Sequence, residues 1–120
     1  MVTESILDSI KSMLGINEED INFDRELIIY VNGALMIMSQ LGVGTDGYLI
    51  SGREDTWKDF IGDREDLELV KSAVYLRVRL IFDPPQNSFL VDAINKQIAE
   101  YDWRIEINHK PAEVEKWLIE

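Results

Sequence analysis

The sequence predicts an all-α fold: a small helical bundle of about four to five helices, broken by one glycine-rich loop with room for a short β-hairpin. Three observations predict it. Apolar residues recur at three- and four-residue spacing along most of the chain. Capping residues and glycines punctuate those stretches. Asp83-Pro84-Pro85 then separates two long amphipathic segments, because proline disfavours helix in the residue before it and removes a backbone donor. With 120 residues, 46% of them hydrophobic, the chain can build one core. The expected division is a single helical domain over 1–107 and a C-terminal tail or short helix over 108–120.

The first helix carries Ile6, Leu7, Ile10, Met13 and Leu14 on one stripe. Ser5 with Asp8 three residues later has the form of a capping box, and Gly15 supplies the stop. Asn17 to Asp24 reads as an acidic connector in which Asp20, Asn22 and Asp24 are capping candidates. From about Phe23 to Leu41 runs the central helix, on which Leu27, Val31, Leu35, Met38 and Leu41 repeat at helical spacing. Ile28, Ile29, Met36 and Ile37 widen that stripe until little polar face remains, so the helix needs neighbours on most sides, from its own domain or from other subunits.

Four of the seven glycines fall between Gly42 and Gly52, around the β-prone run Tyr48-Leu49-Ile50. A long flexible loop is expected, with these three residues either exposed for docking or folded back on the domain. Thr56 caps a short helix bearing Trp57, Phe60 and Ile61, closed by Gly62. Asp63 with Asp66 opens the next helix, whose apolar faces come from Leu67, Val70, Val74, Leu76, Val78, Ile81 and Phe82. Arg77 and Arg79 project about 200° apart and make no basic patch, and one or both are expected to form ion pairs with acidic neighbours, within or between chains. After the prolines, Asn87 or Ser88 restarts a helix with Leu90, Ile94, Ile98, Tyr101 and Ile105 on one stripe, and Asp92, Lys96, Glu100 and Arg104 on the face expected in water.

The balance of 23 acidic to 12 basic residues, a formal charge of -11, opposes a grip on nucleic-acid phosphates or anionic lipid. It is compatible with a wall past which DNA slides. Cysteine is absent, which excludes disulfide and thiolate chemistry. Met1-Val2-Thr3-Glu4 lacks the character of a signal peptide, and the apolar run from Leu27 to Leu41, about 15 residues, is shorter than the roughly 20 a membrane span needs. The expectation is an intracellular, soluble protein.

Candidate chemistry is thin. Gly42-Val43-Gly44-Thr45-Asp46-Gly47 spells a dinucleotide-binding fingerprint, but it follows a helix instead of a strand and leads into a β-prone run. Asp20-Ile21-Asn22-Phe23-Asp24 opens like a calcium loop, yet Arg25 stands where the turn needs glycine and Val31 where it needs a bidentate glutamate. His109 is the one histidine. The acidic cluster Glu54, Asp55, Asp59, Asp63, Glu65, Asp66 and Glu68 is interleaved with Arg53, Lys58, Arg64 and Lys71, which reads as a solvated face. No catalytic, cofactor-binding or metal-ligating residue is assigned, and no cofactor is expected. Protein contacts are assigned instead to Tyr48, Leu49, Ile50, Trp57, Arg77, Arg79, Trp117 and Leu118, while Trp103, one position off its stripe, is expected to flank the core.

Four segments together resemble the phage head-tail connector family, small helical proteins also called adaptors or head-completion proteins. They are Ile6-Leu7-Asp8-Ser9-Ile10-Lys11 with its Leu14-Gly15-Ile16 stop, the Leu27-to-Leu41 helix ending in Gly42-Val43-Gly44, Thr56-Trp57-Lys58-Asp59-Phe60-Ile61-Gly62-Asp63, and Val74-Tyr75-Leu76-Arg77-Val78-Arg79-Leu80-Ile81-Phe82-Asp83-Pro84-Pro85. The likeness spans about residues 4 to 107. It implies a non-enzymatic virion protein, made in the bacterial host cytoplasm, that forms a homo-oligomeric ring, commonly twelvefold, at the head-tail junction. The implied partners are the phage portal protein on one side, a stopper or tail-completion protein on the other, and DNA passing through without specific binding. A small acidic regulatory module, antitoxin- or anti-repressor-like, is the competing class, with a basic protein as its partner. A metal-dependent enzyme using the acidic cluster is the third.

Overall fold

A computed structural model describes residues 4–64 and 66–109, with side chains through residue 107. Among the described residues there are five helices and no strand: α1 (Ile6–Leu14), α2 (Asp24–Gln40), α3 (Trp57–Ile61), α4 (Leu67–Phe82) and α5 (Ser88–His109). The helical bundle is therefore as the apolar spacing predicts. Helix α5 continues two residues beyond the expected domain limit at 107.

Helices α1 and α2 stop in the same way. At each end a left-handed glycine, Gly15 (φ 81°) or Gly42 (φ 93°), lets the next residue's amide reach back to a carbonyl of the last turn. Ile16 N donates to Lys11 O at 2.8 Å, and Val43 N to Met38 O at 2.9 Å. This satisfies the orphan carbonyls and returns an apolar residue to the core. Val43 is fully buried as a result.

The core has α2 at its centre. Leu27, Val31, Leu35 and Met38 face Val70, Ala73, Val74 and Val78 of α4, while Ile6, Leu7 and Ile10 of α1 and Ile105 of α5 close the remaining sides. Phe23, at the start of α2, meets Phe82, at the end of α4, edge-on with ring centroids 5.3 Å apart. The two helices are therefore antiparallel. Trp57 belongs to this core too: it is 1% exposed, and its indole Nε1 donates to the buried Ser9 Oγ at 2.8 Å.

Several boundaries differ from expectation. Ser5 accepts from Asp8 N at 3.2 Å, one half of the anticipated capping box, whereas Thr56 and Asp59 make a full reciprocal one. The two caps lie side by side, since Ile6 N donates to Asp55 O and Trp57 N to Glu4 O. Met13 stays exposed. No side chain caps α2; Asp24 is its first residue, and Asp20 accepts from Asn22 N in a local turn. Helix α4 starts at Leu67, four residues after Asp63, because the Arg64 guanidinium holds the Asp66 carboxylate at 2.5 and 2.6 Å in the connecting turn.

The anticipated hairpin and long loose loop are replaced by a segment laid against the bundle. Asn32, on α2, accepts from Ile50 N at 2.7 Å and donates to Ile50 O at 3.1 Å. One side-chain amide thus satisfies both backbone groups that a partner strand would otherwise have to meet. Thr45 N donates to Phe60 O, and the Tyr48 ring packs on Phe60 at 5.4 Å. Ile50 is 3% exposed.

Candidate functional site

The surface is distinguished by apolar side chains that the chain leaves uncovered. Helix α2 has more apolar residues than one core face can absorb, and Ile29, Met36 and Ile37 remain 63%, 54% and 38% exposed. Gly33 lies between them on the same side of the helix, with no atom within 4 Å of the position a Cβ would take. Next to this stripe a groove of about 430 Å³ runs between α2, α4 and α5, floored by Tyr30, Ala34 and Leu80 and rimmed by Ile29, Ile37 and Ile81. Its far wall is Asn95 and Ile98.

Helix α5 leans on α4 along Ile94, Ile98, Tyr101 and Ile105, of which Ile105 alone is fully buried. Arg77 fixes the pair: both terminal guanidinium nitrogens, Nη1 and Nη2, donate to the Asp102 carboxylate, the first at 2.9 Å. The side of α5 turned away from α4 carries the expected Asp92, Lys96, Glu100 and Arg104, all exposed. It carries Phe89 (83% exposed), Trp103 (62%) and Ile107 (40%) as well. Trp103 therefore does not flank the core. Of the anticipated ion-pair ladder, Glu100 with Arg104 forms, at 3.1 Å.

The assigned contact residues separate into distinct groups. Ile50 and Trp57 are buried within this chain, where α2 and α1 each supply a hydrogen-bond partner. Tyr48 is half-buried on Phe60, and Leu49 alone of its run is exposed, at 54%. Arg77 is engaged within the chain by Asp102, while Arg79 has no ion-pair partner among the described residues. Trp117 and Leu118 lie outside the described residues.

Each acid of the described part of the 54–68 cluster except Glu54 has a local structural task. Asp55 accepts from the amides of Ser51 and Gly52, Asp59 closes the α3 capping box, and Asp63, Asp66 and Glu68 pair with Lys58, Arg64 and Lys71. Lys71 also meets Glu4 at 2.8 Å. Burial lowers the Lys71 pKa, but the Glu4 hydrogen bond and charge and the Glu68 charge outweigh it, leaving the ammonium above its ordinary value. Among the described residues no three His, Cys, Asp or Glu side chains are grouped to hold a metal. The glycine fingerprint begins as the α2 stop, and a Cβ on its second glycine, Gly44, would overlap the Phe60 ring, so that position faces an aromatic and not an open phosphate cradle.

Two features escaped the sequence reading. Lys11 is completely buried, its Nζ donating to Glu18 O at 3.0 Å and pairing with Asp24 at 2.8 Å, which ties α1 to the start of α2. The Asn32 clamp is the other. An amide in the middle of an apolar helix was its signal.

Residues 6–112 match the family described as phage connector protein. The chain belongs to that family. The match covers every helix and reaches three residues past α5. The connector family is one of phage structural proteins, and the uncovered faces of α2 and α5 are consistent with association among virion components. No curated protein and no solved structure matches the chain. Among the described residues no helix is long and apolar enough to cross a membrane.

Proposed function

We propose that this connector is the repeating subunit of a ring placed between the portal and the tail, with DNA passing through its centre. The observation that carries the reading is the family match over residues 6–112. The structure supports it physically: a monomer that leaves Ile29, Met36, Ile81, Phe89 and Trp103 more than half exposed carries unburied apolar surface on more than one side, as a subunit with two neighbours does. The charge of -11 keeps the duplex from adhering to the channel wall. Leu49, Arg79 and the tail residues Trp117 and Leu118 are the contacts offered to the axial partners, the portal protein at one end and a stopper or tail-completion protein at the other. The work is geometric, with no bond made or broken.

Light scattering coupled to size exclusion, followed by negative-stain imaging of the largest species, tests this reading with the full chain alone and with portal protein added. Annular particles of about a dozen chains, free or templated, are the expected result. A strict dimer at every concentration, unchanged by portal protein, would overturn it in favour of a small regulatory module.

A further inference from the structure

We infer that the exposed stripe of α2 on one copy receives the outward stripe of α5 on the next, helix laid against helix, with the closest approach at Gly33. This rests on the ring reading and names the surfaces that would make it.

Gly33 is the first reason. Glycine inside a helix is less favourable than alanine, and here nothing within the chain requires it, since a Cβ would stand in open space. A glycine on a bare face flanked by Ile29, Met36 and Ile37 makes sense when another backbone comes close from outside. The second reason is area. With side chains of roughly 200 Å², the exposed parts of Ile29, Met36, Ile37 and Ile81 offer roughly 400 Å² of apolar surface, and those of Phe89, Trp103 and Ile107 offer about the same. At an apolar share of roughly 60%, burying both gives an interface of about 1,300 Å², within the range of stable complexes.

The third reason is direction. On α5 the groove-lining residues Asn95 and Ile98 are about 130° around the helix from Phe89 and Trp103. One copy therefore presents the two surfaces on different sides. A contact between unlike surfaces is heterologous, and it propagates from copy to copy until it closes. Charge agrees: Arg25 and Glu26 stand at the N-terminal end of the α2 stripe, Asp92 and Lys96 lie within the α5 stripe between Phe89 and Trp103, and none of the four has an ion-pair partner among the described residues. Each sign on one helix has its opposite on the other.

Two substitutions separate this interface from folding. Gly33→Leu fills the α2 face from a position where a Cβ has open space in the monomer, and Trp103→Ser removes an exposed anchor. Both variants should keep the wild-type melting temperature or exceed it, while association in the same scattering assay weakens at least about tenfold. The decisive arm is an equimolar mixture of the two. Each variant retains one intact surface, so the mixture should give one-to-one dimers and nothing larger. Rings formed by either variant as readily as by the wild type would overturn this interface and leave the ring reading standing. A wild-type chain that stays monomeric even with portal protein would overturn both.

Discussion

At the scale of single residues, two positions show how local chemistry constrains the loop after α2. Gly44 sits at φ +78° with Phe60 occupying the space of a Cβ. Gly44→Ala combines left-handed strain with an overlap that only a shift of the ring relieves, and should destabilise by about 2–4 kcal/mol, lowering Tm by roughly 10 °C. Gly15→Ala is the control, because φ is +81° there but the Cβ site is empty, leaving strain alone at about 1–2 kcal/mol. Tyr48 behaves differently. Its hydroxyl is buried without a hydrogen-bond partner, and burial, reinforced by Asp55 and Asp59, pushes its pKa up to about 12. The native state thus holds the phenolic proton after the unfolded chain, titrating near 10, has released it. The stabilisation is whole below pH 10 and is lost as pH rises from 10 toward 12. Alkaline titration of tyrosinate absorbance should show a late component from Tyr48. Tyr48→Phe should remove that component, flatten the alkaline decline in Tm, and be neutral or stabilising at pH 7, since it deletes an unsatisfied hydroxyl while keeping the ring on Phe60.

At the scale of elements, the Asn32 clamp sets the position of the whole 42–55 segment relative to α2. Asn32→Leu would strand the amide and carbonyl of Ile50 and should cost about 2–3 kcal/mol, with the Ile50 amide exchanging far faster with solvent while the amides of α1 stay protected. Asn32→Asp keeps the acceptor and loses the donor, so its cost should fall between. The same clamp explains why the helices were legible in the sequence and this segment was not. Periodicity located α1, α2, α4 and α5, and the cap Thr56 with the stop Gly62 announced α3, because those signals lie within a few residues of one another. Nothing local near Tyr48-Leu49-Ile50 reveals that an amide 18 residues earlier will take the place of a partner strand. The burial of Trp57 is hidden for the same reason: its partner Ser9 is 48 residues away. The candidate surface was half legible. An excess of apolar residues on α2 was visible, but that the uncovered side would be Ile29, Met36 and Ile37, and that Phe89 and Trp103 would share the charged side of α5, depends on which face α4 claims.

At the scale of the whole molecule, the chain sets two long-range effects against each other. Each copy carries a formal charge of -11, so neighbours in an assembly repel, while the surfaces that would join them are largely apolar and gain nothing from low salt. Salt therefore decides the balance in a direction that can be stated beforehand. Raising ionic strength from about 0.05 M to about 0.5 M shortens the screening length from roughly 14 Å to roughly 4 Å, which removes most of the repulsion between subunits and leaves apolar burial intact. Self-association measured by sedimentation velocity should strengthen by about tenfold or more across that range. An assembly held mainly by intersubunit ion pairs would weaken instead, and that outcome would shift the contact from the α2 and α5 stripes to charged residues such as Arg79. The same acidity predicts that duplex DNA of mixed sequence elutes independently of the assembled protein even at the low-salt end, where any positive lining would have held it most tightly.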